Sequence, residues 1–255
     1  MTRPLTATAL ALALAAAAPA AAHEFVVLPA ETRATAGEAI GFEVHSTHVF
    51  FAPEEMERPE SVSVELVSAS GPQPVEIAAG ADGLMLTGEV ETGAETVWLA
   101  AHRLGQIWSK TPNGWVEAGR DEATDAEFTN KYEKFAKVLI NAGDAAVATA
   151  PIGQLLEIVP LSDPSELAPG DVLEVRVLHD GQPVDATVTA TFGGFSDLPN
   201  TYAYLTETRE VDGTPQADIK TWSPGLWVVR AELQTADTPG IDAHVLRSIL
   251  QFEVN

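Results

Sequence analysis

From Glu24 to Asn255 the chain is written in short runs of β-branched and apolar residues punctuated by Gly, Pro, Asp and Asn, a rhythm that belongs to strands. FVVLP, AIGFEVH, SVSVELVSA, PVEIAA, LMLTGEV and ETVWLAAHR follow one another in the first half. The second half runs LLEIVPL, DVLEVRVLHDGQPVDATVTATF, TYAYLTETREVDGTPQADIKTW, SPGLWVVRAEL and SILQFEVN. Alternation is clearest where Val62, Val64 and Leu66 share one face while Ser63 and Glu65 meet solvent. In HDGQPV, Asp180 and Gly181 sit at a hairpin turn. Turn signals at intervals of about 8 to 12 residues suit a sandwich. The expectation is an all-β fold of two β-sandwich domains, a β-rich one over 23–150 and an immunoglobulin-like or transthyretin-like one over 151–255. The bland stretch AGDAAVATAPIG joins them, with the boundary near Pro151. One segment breaks the rhythm. Phe128, Tyr132, Phe135 and Leu139 fall at helical spacing, Glu133 and Lys137 stand four apart, and Gly143 offers a stop, which predicts one amphipathic helix near 125–140.

The first 22 residues carry one charge, Arg3, then an apolar run of Ala and Leu, with Ala20 and Ala22 at the small-residue positions before a cut. They read as a signal peptide for export, which makes His23 the expected first residue of a periplasmic protein. The apolar run is shorter than the roughly 20 residues that span a bilayer, so no membrane anchor is expected. The chain contains no cysteine, which removes disulfides and thiolate metal sites. Beyond the leader stand 13 basic residues against 37 acidic ones, a balance that makes nucleic acid an improbable partner. Acidity of this kind also serves solubility alone.

Metal chemistry therefore rests on histidine and carboxylate, since Met56 and Met85 stand alone and read as core filler. As a first residue, His23 would offer an α-amine and an imidazole to one ion. His45 and His48 form an H-x-x-H beside the acidic run Glu54, Glu55 and Glu57. On a regular strand, residues three apart face opposite ways, so a bulge or turn is needed for both to reach one ion. His102 ends a strand-like run and is a further candidate, against the commoner role of a hydrogen-bonded structural histidine. A site of three or four nitrogens suits nickel, cobalt, copper or zinc. His179, in a turn, and His244, near the last strand, are left outside the site. Lys131 and Lys134 with Tyr132 could bind an anion, though packing explains the same residues. The chain has no G-x-S-x-G, H-E-x-x-H, Walker loop or dinucleotide fingerprint, and FGGFSD reads as a loop.

HEFVVLP, HSTHVFFAPEEMERPESVSVEL, NKYEKFAKVLI and above all GQLLEIVPLSDPSELAPGDVLEVRVLHDGQPVDATVTA, with SPGLWVVRAEL and LRSILQFEV, resemble the domain-of-unknown-function 4198 family of periplasmic proteins. The resemblance covers essentially the whole chain after the leader. It implies a periplasmic component linked to nickel or cobalt uptake, with the amino-terminal histidine at His23 and a second at His48. Where family members tend to carry a second aromatic residue after the first histidine, this chain has Phe25 and then Val26.

The expected function is thus a periplasmic protein that holds a divalent ion through His23 and His48, with His45 or His102. Its cargo would pass to a membrane metal importer or outer-membrane receptor, with no covalent chemistry. One rival is a copper histidine-brace oxidative enzyme, with Trp108 and Trp115 as candidate substrate-facing aromatics. The other is a non-metal interaction or assembly module, in which the histidines are dispensable.

Overall fold

A computed structural model describes residues 23–34, 37–236 and 239–255. The signal peptide expected over residues 1–22 lies outside the described residues. The first half contains β1 (Glu24–Pro29), β2 (Ala39–Thr47), β3 (Val62–Ser68), β4 (Gly71–Val75), β5 (Ile77–Ala79), β6 (Leu86–Glu91), β7 (Val97–Thr111), β8 (Gly114–Val116) and β9 (Phe128–Ile140). After a one-turn helix, α1 (Ala145–Ala148), come β10 (Leu156–Pro160), β11 (Asp171–His179), β12 (Gln182–Pro183), β13 (Thr187–Phe192), β14 (Tyr204–Glu207), β15 (Arg209–Val211), β16 (Thr214–Thr221), β17 (Gly225–Thr235) and β18 (Ala243–Val254). The protein is an all-β sandwich fold, as the β-branched runs require. No helix among the described residues is long and apolar enough to cross a membrane.

Three sheets are stacked. The largest runs β14-β13-β17-β18-β9-β7-β3-β4, with β8 on β7. One face carries the sheet β1-β2-β6-β5, and the other carries β10-β11-β16-β15 with β12. Side-chain alternation divides the large sheet between two cores. Val97, Leu99, Ala101, Ala136, Val138, Ile140, Val228 and Ile249 join Phe25, Phe42 and Leu86. Trp98, Phe135, Leu139, Trp227, Val229, Leu246 and Leu250 join Ile158, Leu173 and Ile219. The central strands are therefore buried on both faces.

That double burial corrects the expected helix near 125–140, which is the strand β9. A strand covered on both sides has no polar face, so its period of two disappears and an apolar run remains. In FAKVLI the run is disguised by Lys137, which is wholly buried, with Nζ 2.6 Å from Glu157 Oε1 and over the Trp98 ring at 4.5 Å. Glu157 also accepts from the backbone N–H groups of Ile152 and Gly153, at 2.8 and 2.9 Å. The expected boundary near Pro151 falls between α1 and β10, close to this ion pair. On either side of it, β9 and β18 pair in parallel from Asn130 opposite Ala243 to Val138 opposite Gln251.

Candidate metal centre

β1 and β2 pair antiparallel, with Glu24 opposite Thr47 and Val26 opposite His45. One step further along the same register, His23 lies opposite His48, and their ring centroids are 3.9 Å apart. The chain then doubles back. Ser46 and Glu55 form an isolated bridge, and Thr47 Oγ1 donates to the carbonyls of Val49 and Ala52. This tight loop returns two acidic side chains to the histidines: Glu54 Oε2 is 2.7 Å from His48 Nδ1, and Glu55 Oε2 is 3.2 Å from His23 Nδ1. Glu54 Oε1 accepts from the backbone N–H groups of His48 and Val49. His23, His48 and Glu54 each offer one ligand atom, all within 4.8 Å of one another. Burial and the neighbouring His48 lower the His23 pKa below its ordinary value, and Lys134 adds to the effect. At Glu54 burial works upward, but the bonds from His48 and Val49 outweigh it and hold the carboxyl below its usual value. Both shifts favour the metal-binding protonation state.

The other two candidates lie elsewhere. His45 is fully buried opposite Val26, and neither ring nitrogen has a hydrogen-bond partner. Desolvation lowers its pKa to about 4, so the ring is neutral at physiological pH. His102 stacks on Phe135 at 4.6 Å and places Nε2 2.8 Å from Glu133 Oε1. The next residues on the same strands, Arg103 and Lys134, reach Glu57 beside the His23 site. Alternation therefore puts His102 on the opposite face of the large sheet. There His244 Nε2 lies 2.9 Å from Glu133 Oε2, and Lys131 Nζ 3.0 Å from the same oxygen. Burial opposes ionisation of Glu133, but His102 and Lys131 bring its pKa down to about 2. Three cationic or hydrogen-bonding partners make this carboxylate a structural anchor.

His23 and Glu55 also form part of the wall of a cavity of about 660 Å³. Arg103, Lys134 and Arg247 contribute its cationic side, while Trp108, Trp115 and Tyr132 contribute flat apolar surface. Burial, together with Arg103, lowers the Lys134 pKa to about 8 despite Glu57. An ionic net joins this region to the second half of the chain: Glu24 Oε1 accepts from Arg230 Nε at 2.7 Å, and Glu232 Oε2 accepts from Arg230 and Arg247 at 2.6 and 2.9 Å. Arg247 Nη1 also reaches the His23 carbonyl at 3.5 Å. A larger groove of about 1490 Å³, bordered by Pro29, Phe42, Gly88 and Leu226, contains no histidine.

The sequence matches the family described as Domain of unknown function (DUF4198) over residues 20–235. The chain belongs to the DUF4198 family. No curated protein matches it. Among solved structures, the DUF4198 chain is similar at 10% identity to a DUF4785 family protein from Legionella pneumophila, with a TM-score of 0.28; the match covers 87% of this chain and 45% of that one. It is similar at 11% identity to fibronectin(III)-like modules of Clostridium thermocellum, with a TM-score of 0.23, covering 90% of this chain and 94% of theirs. The chain thus spans less than half the length of the Legionella protein.

In the sequence of this DUF4198 chain, Glu54 stands out only as part of an acidic run. Its return to His48 depends on the tight loop after Thr47, for which the only signal is the Pro53 and Glu54 pair that follows the aromatic Phe50 and Phe51. Nothing in the local sequence marks Glu24. Its role follows from partners more than 200 residues away.

Proposed function

We propose that this is an exported, periplasmic protein that holds one divalent transition-metal ion through His23, His48 and Glu54, with nickel or cobalt favoured and copper or zinc also suited. The observation that carries the reading is the convergence of three ligand atoms from a strand start, a strand end and a loop within 4.8 Å. Two imidazoles and one carboxylate form a donor set for such ions, and processing after Ala22 would add the residue-23 amine beside them. The protein's task would be to hand the ion to a membrane importer or outer-membrane receptor, with no substrate bond broken.

Calorimetry with nickel, cobalt and copper on the protein beginning at His23 tests this. The expected result is about one ion bound, with affinity falling as pH drops through the histidine range, because protons compete for the same nitrogens. The lowered pKa of His23 extends binding to more acidic pH than a free imidazole would allow. An extra Ala ahead of His23 keeps the imidazole but moves the amine, and His48→Ala removes a ligand; each is expected to weaken binding at least about tenfold, or about 1.4 kcal/mol. Equal affinity in all three proteins would reduce the effect to attraction by an acidic surface. The pairing of an initial and an internal histidine beside Trp108 and Trp115 also favours a second reading, a copper histidine brace. Ascorbate-driven peroxide production by the copper form, absent with nickel, would select it.

A further inference from the structure

Three side-chain ligands, or four donors with the amine, leave positions open on an ion of higher coordination number. The nearest large space is the 660 Å³ cavity that has one ligand of the site, His23, in its wall, with Glu55 beside it. Its size falls in the range of about 300–1,000 Å³ typical of small-molecule pockets. Its charge balance differs from that of the whole chain, which has 14 basic residues against 37 acidic ones: Arg58, Arg103, Lys134 and Arg247 line it beside four carboxylates, Glu55, Glu57, Glu117 and Glu232, and Glu55 is turned to His23. Of the opposing carboxylates, Glu117 serves Arg58, and Glu232 serves Arg230 and Arg247. Glu57 alone answers both Arg103 and Lys134, at 3.5 and 3.6 Å. Those two cations are each only 5% exposed; Arg103 Nη1 donates to the Tyr132 carbonyl at 2.7 Å, while its Nε meets Glu57 only at the longer ion-pair distance. One carboxylate at ion-pair distance is thus shared between the Lys134 ammonium and the Arg103 Nε edge, and an anionic oxygen entering the cavity would find both within its wall. Trp115 lines the same cavity, packs edge-on against Phe128 and Tyr132 with Lys110 Nζ 5.8 Å from its ring centroid, and adds apolar surface for a carbon skeleton.

We propose that the cavity takes a small organic carboxylate whose other donors complete the ion's coordination beside His23, so that the protein captures its metal as a chelate. The inference rests on the reading of His23, His48 and Glu54 as ion ligands. One carboxylate would engage Arg103 and Lys134, and the remaining donors would face the ion at the cavity's edge. Nothing covalent changes; the step is a ternary association.

The test uses nickel alone, nickel with citrate, and nickel with pyridine-2,6-dicarboxylate, one probe aliphatic and one flat. Binding to the protein beginning at His23 is followed by calorimetry and tryptophan fluorescence, after correction for nickel held by the chelator in solution. At equal free nickel, at least one chelator should tighten binding tenfold or more. Lys134→Gln should remove that gain. Trp115→Ala, at a rim position that is 37% exposed, should reduce it while nickel alone binds as before, which guards against misfolding of the lysine variant. If both chelators merely compete while nickel alone still binds, the chelate inference falls and the ion site stands. Equally tight binding of a chelator with and without nickel would also overturn it, leaving an acid pocket uncoupled from the metal. Failure of nickel to bind under any condition would remove the ion site and the inference together.

Discussion

At the scale of single residues, His45 shows how a metal-ligand residue type can serve no ligand role. Its folded ring stays neutral down to about pH 4, whereas an unfolded histidine takes up a proton near pH 6.5. Between those values the unfolded state binds more protons, so stability is full above about pH 6.5 and declines as pH falls toward 4. The contribution is on the order of 3 kcal/mol across that window. Urea denaturation at pH 7.5 and pH 5 should therefore show a smaller pH dependence in His45→Leu than in the parent, and the ion affinity should be unchanged. An undiminished pH dependence would mean that other groups carry it. Glu54→Gln, which leaves His23 and His48 in place, should weaken ion binding several-fold, as calorimetry would show; parental affinity would leave the two imidazoles as the whole side-chain set.

At the scale of elements, Lys137 and Glu157 join β9 to the segment that opens the second half. Both are buried, and burial lowers the lysine's pKa while Glu157 works against that shift. Lys137→Met strands a carboxylate that also holds the Ile152 and Gly153 amides, so a loss of about 3 to 5 kcal/mol is expected by chemical denaturation. Adding Glu157→Gln should recover part of it; a double variant no better than the single one would locate the cost in lost packing over Trp98. The same pair explains what the sequence concealed. The pairing of β1 with β2 was not legible, but both strands were legible as apolar runs, and the H-x-x-H spacing already turned His45 and His48 to opposite faces. The character of β9 was not, since a twice-buried strand loses its period and Phe128, Tyr132, Phe135 and Leu139 happen to fall at helical intervals. His102 could not be placed from local pattern either. Its partner Glu133 comes from β9 and is itself bonded by His244 from β18, and only the assembled sheet shows which face His102 occupies.

At the scale of the whole molecule, the two halves share a sheet and a core. Trp98, Phe135 and Leu139 from the first half fill the same cluster as Ile158, Leu173 and Trp227 from the second. A fragment of residues 151–255 would lose these side chains, together with the β9 partner of β18. It is expected to lack a sharp unfolding transition by circular dichroism, whereas the chain from His23 unfolds cooperatively; a sharp transition with dispersed amide signals in the fragment would establish an independent domain.

The parallel seam between β9 and β18 has a consequence in time. β18 is the last strand of the chain, yet it lies in the interior of the largest sheet, between β17 and β9. Pairings between residues more than a hundred positions apart cost loop-closure entropy before they repay it, and they slow folding. The large sheet cannot close until Ala243–Val254 is in place, and without that strand two adhesive edges, β17 and β9, are left without their common neighbour. The two halves of the sheet therefore stay apart until that one strand docks, and its docking is the step that joins them.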